Sequence, residues 1–479
     1  MAPRTTITAD TLVRLGAQRL AGILLDLADE QPTIKRRLRL ELAGQAGGET
    51  IAAEISKRLT ALRSARSFID CQKRPDFVRD LNLTRTMIAE RLVETRPDLA
   101  LDLMWRFMAL AEPVLNRVDD SSGSVGEVFR AACDDLGSLA TRAKPDPKQL
   151  AERVFAVVTK NAYGEFDRLV STIFPALGEA GVAALRTRLT AELSGRPAKD
   201  GYDSQAAAIR RALQDLADGE GDVDAYIALV PAEARKRSDV AAQIGRRLLM
   251  VGRSEEAIRA LETAAPRRQA RRGALGDDLD HLGWEGPEAD WEGVYLDALD
   301  AVGRTEDAQR LRWKAFEERL SVERLRAYLK ALPDFEDVLA EQKAMEYALN
   351  FRSFSMALHF LHAWPEPRQA ARLVLARQAE IDGNLYYLLD PAARWLERTS
   401  PLAATLLRRA MIDDTLDGAK FKRYRHAARH LAECQSLASL IGDYGGFESH
   451  TAFVARLRAK HSRKVGFWTL VSDAATVGV

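Results

Sequence analysis

Three side chains with metal-ligand chemistry fall four residues apart in His426-Ala-Ala-Arg-His430-Leu-Ala-Glu-Cys434. On an α-helix that spacing aligns two imidazoles and a thiol along one face. A transition metal could take all three, with His450 or His461 as a fourth ligand. The run departs from a metalloprotease pattern, in which Glu follows the first His directly. A packed helix face with a buried Cys and polar His edges explains the same spacing with fewer assumptions, so no metal is assigned. Asp277, Asp278, Asp280 and His281 are oxygen-rich but lack calcium-loop spacing, and read as a solvated connector. Asp119, Asp120, Ser121, Ser122 and Gly123 read as a turn leading into a cap. Asp413, Asp414 and Asp417 have acid–base chemistry but no partner nearby in sequence, and read as a wet helix surface. His359 and His362, among Leu358, Phe360, Leu361 and Trp364, read as core histidines. Glycine-rich dinucleotide and phosphate loops and the Gly-x-Ser-x-Gly elbow are absent from the sequence. The expectation is therefore no enzyme, no catalytic residue and no cofactor.

The strongest remaining signal is basic. Between Lys420 and Lys464 stand ten Lys or Arg: Lys420, Lys422, Arg423, Arg425, Arg429, Arg456, Arg458, Lys460, Arg463 and Lys464. Against them are three acids, Glu433, Asp443 and Glu448, in a chain whose net charge is only +1. Phe421, Tyr424, Phe467 and Trp468 are interleaved and offer faces for base stacking. The plainer and preferred reading is that these cations cover outer helix faces or pair with acids of neighbouring helices, because a charge run alone is weak evidence.

The elements that position these residues are helices. Apolar residues recur at three and four rather than at two, as in Leu12, Leu15, Leu20, Ile23, Leu24 and Leu27. Pro32, Pro97, Pro147, Pro333, Pro391 and Pro401 stand where new helical patterns begin. Ser124-Val-Gly-Glu127 fits a capping box. Leu248-Leu-Met-Val-Gly-Arg-Ser-Glu-Glu-Ala257 is matched by Leu299-Asp-Ala-Val-Gly-Arg-Thr-Glu-Asp-Ala308. In each, glycine closes one helix, Ser254 or Thr305 is expected to cap the next, and acids occupy its first turn. Helices are predicted near 9–29, 48–67, 75–96, 124–143, 165–177, 179–194, 235–251, 254–264, 289–302, 305–319, 334–350, 401–415, 419–441 and 447–460, among others. Short connections favour antiparallel neighbours. The chain divides into an N-terminal array over 1–195, central hairpins over 203–264 and a C-terminal array over 288–472, read as one continuous solenoid.

Composition agrees. The 479 residues are 47% hydrophobic and 7% aromatic, with 70 basic and 69 acidic side chains, so net charge draws the chain to neither nucleic acid nor membrane. Cys71, Cys133 and Cys434 are too few and too far apart for a disulfide framework, and read as reduced thiols of a cytoplasmic protein. Charged residues at Asp10, Arg14 and Arg19 interrupt the first apolar positions. No unbroken apolar run approaches the length of a bilayer span.

The matched joints resemble the turn of tetratricopeptide-type repeats. From about Ile51 to Leu470, three segments resemble the helical region that follows the zinc finger in bacterial SWIM zinc-finger proteins. These are Phe68-Ile-Asp70, Val118-Asp-Asp-Ser-Ser-Gly-Ser-Val-Gly126 and Ala143-Lys-Pro-Asp-Pro147. Phe453-Val-Ala-Arg-Leu-Arg-Ala-Lys-His461, with Arg463, Lys464 and Phe467, resembles the end of that region. The chain is also similar to an uncharacterised proteobacterial helical family of unknown function that carries this region alone. The Cys-x-Cys and Cys-x-His ligands of the finger are missing, so its contacts do not carry over. The resemblance implies a fold and a bacterial cytoplasm, and no activity.

The expectation is an all-α protein, an α–α superhelix of tetratricopeptide-like hairpins, serving as a protein-interaction scaffold with no membrane role. The alternative is a nucleic-acid-associated adaptor using Lys420, Lys422, Arg423, Arg425, Arg429, Arg463 and Lys464.

Overall fold

The computed structural model describes residues 8–45, 47–161, 164–196, 203–265 and 287–477. The connector carrying Asp277, Asp278, Asp280 and His281 lies outside them. Among the described residues the protein is all-α, and its one extended pairing is an isolated parallel bridge between Ile69 and Val118. Cα proximity divides the chain into two compact units, Met1–Ala234 and Arg235–Val479. That boundary falls within the 203–264 stretch.

In the first unit successive helices pack as neighbours around one core that includes Ile55, Leu81, Met104, Phe107, Phe129, Ile173, Leu185 and Leu216. Helix α1 (Ser124–Ala143) lies close against α2 (Leu169–Gly195). A Cβ built on Gly137 would sit 2.3 Å from the Thr172 carbonyl oxygen, so only glycine permits that approach. Helix α2 has the length and hydropathy of a membrane span, which the search for unbroken apolar runs does not anticipate. It is broken at Gly178 (φ 55°, ψ 176°), where the sequence separates 165–177 from 179–194. Leu169, Val170, Ile173, Leu177, Val182, Leu185 and Leu189 all enter the core.

Three of the four segments that carry the resemblance turn out to be joints, while Phe453–His461 lies within the helix His450–His461. Ile69 donates its N–H to the Arg117 carbonyl at 2.9 Å, and Asp119 donates to the Ile69 carbonyl at 2.9 Å, tying two of them together. The Asp120 carboxylate accepts from the N–H groups of Val125 and Gly126 (2.9 and 2.8 Å), which caps α1. Ser124 is the first helical residue and makes no capping bond, so the expected capping box is replaced by an aspartate four residues earlier. Lys144 (φ 49°) closes α1, and Asp146 accepts from Gln149 N to cap the helix that Pro147 opens.

In the second unit the two matched joints are near copies. Gly252 (φ 77°) and Gly303 (φ 74°) occupy the left-handed region. Arg253 N donates to the Leu248 carbonyl at 2.8 Å and Arg304 N to the Leu299 carbonyl at 2.9 Å, the bond that closes a helix C-terminus. Ser254 and Thr305 do not cap. They are the first residues of Ser254–Thr263 and Thr305–Arg319, and Arg253 and Arg304 clasp Glu256 and Asp307 instead. A third joint, unread in the sequence, closes Ser204–Glu220 in the first unit. There Gly221 has φ 73° and Asp222 N donates to the Ala217 carbonyl at 2.9 Å. Pro32, Pro97, Pro147 and Pro401 open helices as expected, whereas Pro391 lies inside one.

Candidate functional site

Five later helices carry the candidate chemistry: α3 (Glu336–Leu349), α4 (Tyr386–Leu396), α5 (Pro401–Asp417), α6 (Tyr424–Ala438) and α7 (His450–His461). Helix α5 presents apolar residues on most of its surface, including Ala403, Leu406, Leu407, Met411 and Ile412, and is buried among its neighbours. Its Arg408 and Arg409 are buried with them. A buried guanidinium is costly unless it is paired. Arg408 is paired: its Nε donates to Glu433 Oε2 at 2.7 Å and its Nη2 bonds Glu397.

The Arg408 pair extends into a network. His430, 1% exposed, sets Nδ1 2.9 Å from Glu433 Oε2, and its Nε2 lies 3.8 Å from Asp390 Oδ1. Asp390 accepts from Arg394 at 2.9 Å, and Arg429 stands 3.6 Å from Asp390 and 3.5 Å from Glu433. Burial alone would raise the Glu433 carboxyl, but hydrogen bonds from His430 and Arg408 outweigh it and hold it at about 2.

The metal candidates are not brought together. His426 is exposed, edge-on to the Tyr386 ring at 5.6 Å. Cys434 is fully buried with Sγ 3.9 Å from the Thr405 carbonyl, and burial pushes its thiol up to about 12. His450 opens α7 and His461 closes it beside Asp417. Among the described residues, the ligand atoms that do converge, within 4.8 Å, belong to Asp390, His430 and Glu433. That trio is a poor cation site. Arg394, Arg408 and Arg429 already sit on its carboxylates, and a divalent ion would add charge where three guanidiniums offset Asp390, Glu397 and Glu433. With Arg408, the trio reads as a polar brace between α4, α5 and α6.

Four of the ten cations of the basic stretch pair with acids, most of which precede it in sequence. Lys420 pairs with Asp414 at 2.9 Å, Arg456 with Asp413 and Glu448 at 3.0 Å, and Lys460 with Asp417 at 2.7 Å. Asp413, Asp414 and Asp417 are thus partners of these cations rather than a wet surface. Arg423 donates to Asn384 at 3.1 Å, Arg429 belongs to the brace, and Lys464 lies 5.9 Å from the Tyr424 ring. Lys422, Arg425 and Arg463 are exposed. Of the interleaved aromatics, Phe467 is fully buried and Trp468 bonds the His461 carbonyl; Phe421 is exposed. His359 is exposed and His362 half-buried against Trp395, so neither is a core histidine.

The residue that sequence reasoning missed is Phe335. It was expected inside a helix from 334. Instead it precedes α3 in the left-handed region (φ 70°), 83% exposed. Val338 and Leu339, in the first turn of α3, are exposed as well. Pro333-Asp334 ahead of it was the available signal, since the pair breaks a helix.

No curated protein matches the chain. Solved structures that match include a circular tandem repeat protein with novel repeat topology and enhanced subunit contact surfaces. It is 14% identical, over 95% of this chain and 100% of its own, with a TM-score of 0.16 that bears no weight on the fold. The profile of one family spans residues 2–470. On that match, made along nearly the whole chain, the protein belongs to DUF6880, a family of unknown function.

Proposed function

We propose that this protein is a non-catalytic, protein-interaction scaffold of the bacterial cytoplasm, tetratricopeptide-like in its hairpins. The observation that carries this reading is Phe335. A bulky residue at positive φ is an outlier costing roughly 1–2 kcal/mol, and such strain clusters at functional positions. Here it holds a phenyl ring out in solvent, just ahead of the exposed Val338 and Leu339 in the sequence. Asp334, Glu336 and Asp337 flank the ring. An aromatic anchor with an acidic rim suits a protein partner that offers an apolar pocket edged by Lys or Arg. The resemblance of its segments to the helical region of bacterial SWIM zinc-finger proteins bears on the fold and the bacterial cytoplasm in this reading, and not on a partner. The adaptor alternative is weakened by three of its seven cations, since Lys420 and Arg429 are engaged with acids and Lys464 with the Tyr424 ring.

Affinity purification of the full chain, split into nuclease-treated and untreated halves, tests this. A stoichiometric protein that survives nuclease is expected. Loss of all bound material after nuclease would sink the reading.

A further inference from the structure

Among the described residues Arg409 differs from the other two buried arginines of the second unit, Arg312 and Arg408, which pair with carboxylates. It is 4% exposed, yet among the described residues no carboxylate lies within ion-pair distance of it. Its Nη1 donates to the Glu448 carbonyl at 2.7 Å, just ahead of the Ser449 cap of α7. The Phe453 and Tyr444 rings lie 4.6 and 5.7 Å from its Cζ. That leaves Nε and Nη2, both buried and both without a hydrogen-bond partner. These two atoms form the parallel donor edge of a guanidinium. Elsewhere in this chain the same edge takes both oxygens of a carboxylate: Arg96 on Asp98, Arg237 on Asp239, Arg253 on Glu256 and Arg377 on Glu380.

Two neighbours share the same deficit of negative charge. His450, the first residue of α7, is 8% exposed with Nδ1 unpartnered. The N-terminus of α7, a helix of 12 residues, adds its positive dipole end. Glu448 and Asp413 are both held by Arg456. Burial lowers the Arg409 pKa from its ordinary value and, with help from Arg409, that of His450. The segment between α6 and α7 that carries Tyr444 contains Gly442, Gly445 (φ 53°) and Gly446 (φ 92°), at each of which a Cβ would meet nothing within 4 Å.

We propose that Arg409, His450 and the start of α7 form a binding site for a small oxyanion, a carboxylate or a phosphoryl group. The anion's two oxygens bridge Nε and Nη2 of Arg409 once Tyr444 swings aside. His450 Nδ1 and the helix dipole complete the electrostatic complement, and the bidentate fork distinguishes such anions from chloride.

Thermal melting of the full-length protein in chloride, acetate and phosphate at equal ionic strength tests the proposal, because a ligand that binds the folded state raises the Tm saturably. A saturable rise with phosphate alone, or with acetate alone, supports the site and identifies its chemistry; a rise with neither overturns it. Arg409→Met should weaken the apparent affinity by about tenfold or more, the loss expected for a charge-assisted bidentate contact. Equal protection of wild type and R409M overturns the proposal, since the anions would then act elsewhere. Should R409M fail to fold, Tyr444→Ala carries the test. Removing the ring should tighten binding several-fold, and an unchanged affinity overturns it.

Discussion

Arg408 and Glu433 show how single side chains in this protein are held. A fully buried guanidinium is tolerated because two carboxylates reach it, Glu397 at the end of α4 and Glu433 from α6. Removing one partner of such a pair costs about 3 kcal/mol, so Glu433→Gln should lower stability by about that much near neutral pH, read by denaturant unfolding. The sign of the pH dependence follows from a carboxyl held at about 2 when folded, against an ordinary value of about 4.3. Its contribution is complete above about 4.3 and is lost as pH falls toward about 2. Wild type should therefore lose stability over that interval more steeply than E433Q, and parallel acid limbs would contradict the assignment. Cysteine burial gives a second check. Cys71 is exposed, while Cys133 and Cys434 are buried with thiols pushed up to about 12. Alkylation of the native protein should add one adduct by mass, and of the unfolded protein three. Two or three rapid adducts on native protein would contradict the packing of α1 and α6.

At the scale of the element, glycines do two different jobs. At Gly252 and Gly303 a Cβ would meet nothing within 4 Å, so the requirement is purely the left-handed backbone. Alanine at either position should cost about 1–2 kcal/mol. At Gly137 the backbone is helical and alanine's better helix propensity would favour it, but the Thr172 carbonyl stands in the way. Gly137→Ala should therefore destabilise too, measurably by thermal melting, and a stabilised G137A would contradict the contact between α1 and α2. These joints were legible in the sequence because a helix end has a local cause, a glycine at a fixed offset. The caps were not. Choosing Asp120 over Ser124, or an Arg253–Glu256 clasp over Ser254, depends on chain direction at the turn. The roles of Asp413 and Asp417 were hidden for another reason: their partners Arg456 and Lys460 lie about 40 residues away and meet them only when α7 packs on α5. The one residue of the metal reading that entered a converging group, His430, did so through Asp390 of another helix.

At the scale of the whole molecule, each compact unit has buried clusters of its own: residues from Ala43 to Leu216 in the first, and from Phe316 to Phe467 in the second. Fragments 1–234 and 235–479 should each show helical circular dichroism and a cooperative melt, and a fragment that stays unfolded would contradict that independence. What the whole chain is for turns on Phe335. Glycine at that position relieves the positive φ while deleting the ring, which separates folding from recognition in one substitution. The decisive measurement is titration of the co-purifying partner against wild type and Phe335→Gly, with thermal melting of both alongside. The scaffold reading predicts that F335G melts no lower than wild type yet binds about 30-fold more weakly, the loss of a central aromatic anchor. Wild-type affinity in F335G would contradict it.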